Sequence, residues 1–446
     1  VKYSLLGFGV SNRAVLDYLL SRGESVFVSE KRTLDDRTKE YLRSAGVEYE
    51  ERENSERVFE SDVIVVSPGV KPSHPLLLKA REMGISITTE LDLAYSELAR
   101  REKMIVAITG TNGKTTTTKL VAHLLSKKYR VFEGGNIGTP LISAVQNAED
   151  YEFFVCEVSS FQLYWSSSFK PKVGVLLNVA PDHLDWHADF EDYLKSKLSM
   201  FKRQDTNDVA FISKSTEQIG KFVSDFESKV FFFDKNMGYR LRLNEGLLYF
   251  EDGHLEYAIE NIPVHMRENL TAAVSVGLYL GLQSSEIVEG LDTFQSLPHR
   301  FEFVLEKDGI IFVNDSKATN AHAVVAALNN FDEKSVILLL SGLGKNEDYK
   351  ELSRAISQKC KAVVAFGEMK KLAERFVKDV PLVFAEDMRD AVELAVKMAT
   401  PGNVVLLSPA GASFDLYSNY AERGEDFKRC VEEIVTETVH PKKSLG

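Results

Sequence analysis

The segment GTNGKTT, residues 110–116, carries the residue types that grip a polyphosphate. Its glycines let successive backbone N–H groups turn inward, and a helix N-terminus behind them favours an anion. Lys114 is placed to reach the terminal phosphates, and Thr115 to offer its hydroxyl to Mg²⁺. The segment follows the apolar run IVAI and opens the helical stretch TTTTKLVAHLL, which is the setting such a loop requires. The first glycine of the usual GxxxxGK[ST] pattern would fall at Ile108, so this is a shorter variant. ATP is the expected nucleotide, with Gly110, Thr111, Asn112, Gly113, Lys114, Thr115 and Thr116 around its phosphates.

A second cluster is NVAPDHLDWHADFEDYLKSK, residues 178–197, which crowds Asp182, His183, Asp185 and His187 together. The two histidines have the i, i+4 spacing of helical metal ligands. Pro181 precedes them, however, and the pattern before Asp189 is irregular, so the stretch reads as a loop after the apolar run VGVLLNV. A closed zinc site takes four ligands, often with sulfur, and no cysteine is near. Zinc is disfavoured.

The helix that follows has Asp189 as its cap and Glu191 and Asp192 in its first turn. Its apolar face holds Phe190, Tyr193, Leu194, Leu198 and Phe201. Lys197 falls on that same face, while Lys195 points away. Two readings of Lys197 stand. Its stem can line the core edge with the ammonium in water, or the amine can be buried with a lowered pKa. A neutral amine reacts with carbon dioxide to give a carbamate, an oxygen ligand suited to Mg²⁺.

GFGVSN, residues 7–12, has two glycines of a dinucleotide fingerprint but Asn12 at the third position. It reads either as a tight strand–helix turn capped by Ser11 or Asn12, or as a nucleotide-diphosphate site with Glu30 on the ribose.

Strands and helices must hold these clusters in place. YSLLGFG, SVFVSE, DVIVVSPG and ISIT read as strands, with helices NRAVLDYLLSRG and HPLLLKAREMG between them. A second α/β block opens at KMIVAITGTNGKTT and includes a hairpin-like insertion, YRLRLNEGLLYFEDGHLEYAI. A third runs from HRFEFVLEKDGIIFVND, with strands SVILLLSG, KAVVAFG, PLVFAE and NVVLLSPA. The expected architecture is α/β in three domains: a Rossmann-like parallel sheet over 1–97, a central P-loop ATPase domain over 98–297, and a C-terminal Rossmann-like domain over 298–446. Such sheets bind ligands at the carboxyl ends of their strands, where the polar clusters fall in all three.

Composition bounds the rest. Of 446 residues, 44% are apolar and 27% charged, an ordinary globular balance. A net charge of −12 argues against a nucleic-acid partner. No apolar run approaches the ~20 residues of a bilayer span. The N-terminus enters a strand without a leader pattern, so a cytoplasmic enzyme free of the membrane is expected; a monomer is the expected state. Three scattered cysteines form no CxxC pair and read as small buried side chains.

Taken together, GTNGKTT, GGNIGTP, EVSSFQL, LNVAPDHLD with YLKSK, LPHRFE, NDSKATN and LSPAGASFDLYSNYAERGEDF resemble the Mur ligases along nearly the whole chain. NDSKATN points to the branch that adds D-glutamate to UDP-N-acetylmuramoyl-L-alanine in peptidoglycan precursor synthesis. The resemblance implies an acyl-phosphate intermediate formed from ATP, with Lys114, Glu157, His183 and Lys197 as catalytic residues. It implies Mg²⁺, two ions, held by Thr115 and Glu157 and by His183 with carbamylated Lys197. Asn269, Arg300 and Asp315 would complete the ATP site, and Asn136 would contact the muramoyl substrate. Ser11, Asn12, Glu30, Lys31 and Ser67 would hold uridine diphosphate. Lys317, Thr319, Lys345, Ser413 and Tyr420 would form the amino-acid pocket.

The sequence departs from the family pattern at Tyr420, where Phe is expected, and at Glu30-Lys31, where an Asp-Thr pair is expected. Glu347, Asp348 and Asp415 leave lysine open as an alternative amino acid, provided that one of them turns inward. Two other readings are a folate-polyglutamylating ligase, which would lack the ~100 residues before the phosphate loop, and a nucleotide-binding regulator that ligates nothing.

Overall fold

The computed structural model describes residues 1–215, 219–244, 247–252, 256–258, 266–294, 298–344 and 347–437. Its first sheet contains β1 (Lys2–Leu6), β2 (Ser25–Glu30), β3 (Glu48–Glu51), β4 (Val63–Val66) and β5 (Ser86–Thr88). They lie in the order β3-β2-β1-β4-β5, all parallel. Continuous apolar runs such as Ile64, Val65 and Val66 are buried, as strands covered on both faces must be.

The second sheet contains β6 (Met104–Thr109), β7 (Val131–Gly135), β8 (Phe153–Glu157), β9 (Val173–Leu176), β10 (Val209–Ser213) and β11 (Lys229–Phe233). Its order is β11-β10-β9-β6-β8-β7, again all parallel. The central strand β6 therefore delivers residues 110–113 between the ends of β8 and β9. The expected insertion is a small antiparallel sheet of β12 (Met237–Gly238), β13 (Leu241–Asn244), β14 (Leu247–Phe250) and β15 (Glu256–Ala258).

The fourth sheet has β16 (Glu302–Lys307), β17 (Ile310–Asn314), β18 (Val336–Ser341), β19 (Cys360–Phe366), β20 (Leu382–Phe384) and β21 (Val404–Ala410), ordered β16-β17-β21-β18-β19-β20. Only β16 runs antiparallel to its neighbour. The fold is thus α/β with parallel sheets.

The chain divides into two compact units. One holds the first three sheets and the helices through Phe294; the other holds the fourth sheet and the helices packed on it. Residue 97, the expected end of the first domain, lies inside the helix Glu90–Arg100. The expected boundary at 297 falls in residues 295–297, outside the described residues. Among the described residues no helix is long and apolar enough to cross a membrane.

Candidate functional site

The phosphate-loop sequence forms a strand–loop–helix unit. Gly113 takes φ +85° as the N-cap of the helix Lys114–Leu125. A side chain there would collide with the Asn269 carboxamide, so the position needs glycine for both conformation and space. The segment after β9 clamps the loop. Thr111 N–H donates to the Asn178 carbonyl at 2.8 Å, and Asn112 N–H to Asn178 Oδ1 at 3.0 Å. Thr111 Oγ1 accepts from Ala180 N–H at 3.0 Å and pairs with the Tyr193 hydroxyl at 2.9 Å. Lys114 Nζ donates to the Thr111 carbonyl at 2.8 Å, folded back over the loop.

Three expected residues meet at the end of β8. Thr115 Oγ1 donates to Glu157 Oε2 at 2.7 Å, and Asn136 Nδ2 donates to Glu157 Oε1 at 3.2 Å. The Asn136 N–H also donates to the Glu157 carbonyl at 2.8 Å. Glu157 is 3% exposed, so its carboxylate lies buried against two neutral donors. A buried anion so placed, beside a hydroxyl, fits a hard divalent cation.

The stretch 178–197 is a loop and a helix, as expected. His183 has φ +56°, a left-handed conformation unusual for a side-chain-bearing residue, held by its N–H donating to Asp182 Oδ1 at 2.9 Å. His187 serves a different purpose. Buried at 3% exposure, it bridges Asp192 Oδ2 and Ser160 Oγ, each at 3.0 Å, and burial lowers its pKa. Asp189 caps the helix Phe190–Lys202 by accepting from Asp192 N–H at 2.8 Å.

Of the two readings of Lys197, the buried one holds. The residue is 2% exposed, and its Nζ donates to the Gly110 carbonyl at 2.8 Å above the Tyr193 ring. Burial, and then the like charge of Lys114, hold its pKa well below the ordinary lysine value; Asp182 and Glu157 oppose them. Lysine, phosphate loop and carboxylate therefore share one site.

At the carboxyl end of the first sheet, the turn is not capped as expected. Gly9 is the N-cap of the helix Val10–Ser21, with no side-chain cap. Asn12 is fully buried, and its Nδ2 donates to the carbonyls of Gly7 at 2.7 Å and Val65 at 3.2 Å, tying the ends of β1 and β4 together. Glu30 also turns inward. It accepts from the N–H groups of Phe8 at 2.6 Å and Arg32 at 2.9 Å. Burial pushes its carboxyl up, but the Arg32 and Phe8 hydrogen bonds win and hold it below the ordinary value. Ser11 and Ser67 are half-buried and Lys31 is exposed at this end.

In the other unit, Lys317 Nζ lies 3.7 Å from the centroid of the Tyr420 ring, so the aromatic at 420 acts on the lysine through its face. Ser413 is buried at the start of the turn Ser413–Asp415. Thr319 donates its N–H to the Lys317 carbonyl at 2.9 Å. Asp315 accepts from Ser408 Oγ at 2.8 Å and Phe301 N–H at 3.1 Å, and burial pushes its carboxyl up to about 7. Arg300, half-buried, lies between two residues with positive φ, His299 and Phe301. Lys345 lies outside the described residues.

The acids that left lysine open are engaged elsewhere. Glu347 accepts from Ala321 N–H, Asp348 from Lys350 N–H, and Asp415 from Glu368 N–H, each at 3.0 Å.

Three further residues escaped the sequence reading. Asn178 and Tyr193 brace the phosphate loop. Arg423, fully buried, joins the Ser316 carbonyl at 2.9 Å to the Gly411 carbonyl at 3.0 Å, and burial lowers its pKa to about 10. Only Asn178, a polar residue directly after an apolar strand, left a readable signal.

Family models match over most of the chain: the MurD N-terminal domain at residues 2–76, the Mur ligase middle domain at 108–277, and the Mur ligase glutamate ligase domain at 299–411. The chain is 38% identical to the UDP-N-acetylmuramoylalanine–D-glutamate ligase of Thermosipho africanus, over 97% of this chain and 98% of that one. It is 41% identical to the enzyme of the same name from Pseudothermotoga lettingae, over 95% and 96%. Among solved structures, the MurF ligase of Thermotoga maritima in complex with ADP superposes with a TM-score of 0.64 at 19% identity, over 93% of this chain and 96% of that one, a likeness of fold.

Proposed function

The chain belongs to the Mur ligase family, and on that premise we propose that it is an ATP-dependent, ADP-forming ligase joining D-glutamate to UDP-N-acetylmuramoyl-L-alanine. The observation that carries this reading is the near-full-length likeness to relatives bearing that name. Glu347, Asp348 and Asp415 each accept a backbone N–H, and the relatives' names give D-glutamate, so nothing favours lysine as the added amino acid. We divide the chain functionally into a UDP-substrate domain (1–97), a central ATP domain (98–297) and an amino-acid domain (298–446), and place the reaction in the cytoplasm.

The substrate carboxylate must attack the γ-phosphorus, with the bond to the ADP oxygen breaking, before the amine of D-glutamate attacks the acyl carbon. That second step expels phosphate, and the amine gives up a proton. Anions meet in the first step, so cations must lie around it. Lys114 at the helix N-terminus neutralises the β- and γ-phosphates. Thr115 and Glu157 would hold one Mg²⁺, and His183 with Lys197, as its carbamate, would hold a second. Bound Mg²⁺ would supply positive charge to offset the anions that meet in the first step. The lowered pKa of Lys197 favours the neutral amine that a carbamate requires, since nitrogen must offer a lone pair to carbon dioxide and lose a proton.

Phosphate release from ATP with UDP-N-acetylmuramoyl-L-alanine tests the reading. Release should rise on adding D-glutamate and stay at background with D-lysine or L-lysine. No rise with any amino acid would overturn it in favour of a slow, non-ligating ATPase.

A further inference from the structure

The helix Glu90–Arg100 begins with two buried carboxylates, Glu90 at 2% and Asp92 at 4% exposure, neither part of the site described above. Both reach across to the central sheet. Asp92 gathers Ser166 Oγ at 2.6 Å and the N–H groups of Ser167, Ser168 and Phe169 at 2.9–3.0 Å, so it fastens the segment that follows the helix Ser160–Trp165. Glu90 accepts the Ile142 N–H at 2.7 Å, at the start of the short helix Leu141–Ala144. Its other oxygen, Oε2, is buried without a hydrogen-bond partner.

Residues 136–142 are thus held at two points. At one end the Asn136 N–H donates to the Glu157 carbonyl at 2.8 Å; at the other Ile142 hangs from Glu90. Gly135 N–H closes the loop onto the Thr139 carbonyl at 2.9 Å, and a side chain at Gly135 would run into the Glu157 backbone. The loop has little freedom to slide along β8, so its far anchor fixes where the Asn136 carboxamide stands.

We propose that Glu90 is a positioning residue for the UDP-linked substrate: its grip on Ile142 sets residues 136–142 and thereby the Asn136 carboxamide beside Glu157. This rests on reading Asn136 as a contact to the muramoyl part of UDP-N-acetylmuramoyl-L-alanine. Burial pushes the Glu90 carboxyl up to about 7, the negative charge of Asp92 adds to the rise, and the Ile142 and Leu141 N–H groups oppose it. The other ionisable group facing it is Cys156 on β8, a thiol that burial keeps protonated; Leu141–Ala144 turns backbone N–H groups toward it. When Glu90 ionises, its carboxylate becomes the stronger acceptor, and the hold on the Ile142 N–H tightens.

The experiment is binding of UDP-N-acetylmuramoyl-L-alanine to the full chain by calorimetry, without ATP or D-glutamate, for wild type, Glu90→Ala and Glu90→Gln. The alanine variant loses the anchor and should bind at least about fivefold more weakly, with its ATP affinity moved far less. Wild-type affinity should rise about threefold from about pH 6 to about pH 8 as the ionised carboxylate holds Ile142 more tightly, and Glu90→Gln, which accepts from Ile142 but cannot ionise, should lose that rise. An alanine variant that binds like wild type, or a glutamine variant that keeps the wild-type pH dependence, overturns the positioning role. If the alanine variant does not fold, the glutamine pH profile still decides. Wild type that fails to bind the nucleotide-sugar at all instead overturns the assignment of the substrate.

Discussion

At the level of single residues, Lys197 shows how far side-chain type and spacing carry. Periodicity placed it on the apolar face and favoured the core edge over the interior, because a lysine stem packs well there with its ammonium in water. The surroundings that decide are remote in sequence: the Gly110 carbonyl, the Tyr193 ring and Lys114. His183 and His187 show the same limit. Their identical residue type and helical spacing conceal opposite fates, one on a strained loop beside the site, the other buried between Asp192 and Ser160. A buried amine with a lowered pKa makes a direct prediction. Lys197→Ala removes the atom that would carry the carbamate, and ligase turnover should fall by about 10²–10³-fold, the scale of losing one group that stabilises transition-state charge. Acetate or formate in the assay should restore part of that rate by returning an oxygen ligand. Turnover near the wild-type rate in Lys197→Ala sinks the carbamate; so does a strong loss accompanied by collapse of ATP binding, since the damage would then lie in the Gly110 contact.

Among the elements, those with apolar strands were legible and those built on charge were not. β3 is Glu-Tyr-Glu-Glu and edges its sheet, so its sequence carries no alternation of buried and exposed apolar residues. The helix Asp36–Ser44 buries only Thr38 and Leu42 and likewise lacks a readable stripe. The phosphate loop was legible because its chemistry is local: glycines, lysine and threonine on consecutive positions at a strand's end. Its brace was less so: Asn178 and Tyr193 arrive from other elements, and only Asn178, directly after an apolar strand, left a signal. Gly113 tests the loop as a unit. In Gly113→Ala the backbone must hold φ +85° with a Cβ that meets the Asn269 carboxamide, a strain on the order of 1–3 kcal/mol before any clash is relieved. The loop should open, raising the KM for ATP at least about tenfold if about 1.4 kcal/mol of that strain reaches the bound state. Affinity for the UDP-linked substrate and far-UV helix signal should hold. An unchanged KM for ATP would mean that the loop conformation does not matter for nucleotide binding.

For the molecule as a whole, the two units each bury a carboxylate whose pKa is pushed up to about 7, Glu90 in the first and Asp315 in the second. Ordinary values are 4.5 and 3.8, so between those values and about 7 each folded unit keeps a proton that its unfolded chain has released. Stability is then complete below the ordinary value and is lost as pH rises through about 7. At about 1.4 kcal/mol per pH unit the loss is at most about 3 kcal/mol for Glu90 and about 4 kcal/mol for Asp315. His187 and His299, held below 6.5 by burial, act in the other sense, adding stability as pH rises toward 6.5. The wild-type curve alone therefore mixes signs, and the carboxylates must be read by difference. Two units with separate cores need not unfold as one cooperative block. Thermal unfolding followed by calorimetry from about pH 5 to about pH 8 should show two transitions, and Glu90→Gln should flatten the pH dependence of only one of them while Asp315→Asn flattens the other. A single transition that both variants shift together would show that the units unfold as one, and a wild-type slope retained in either variant would show that its carboxylate is already ionised in the folded state.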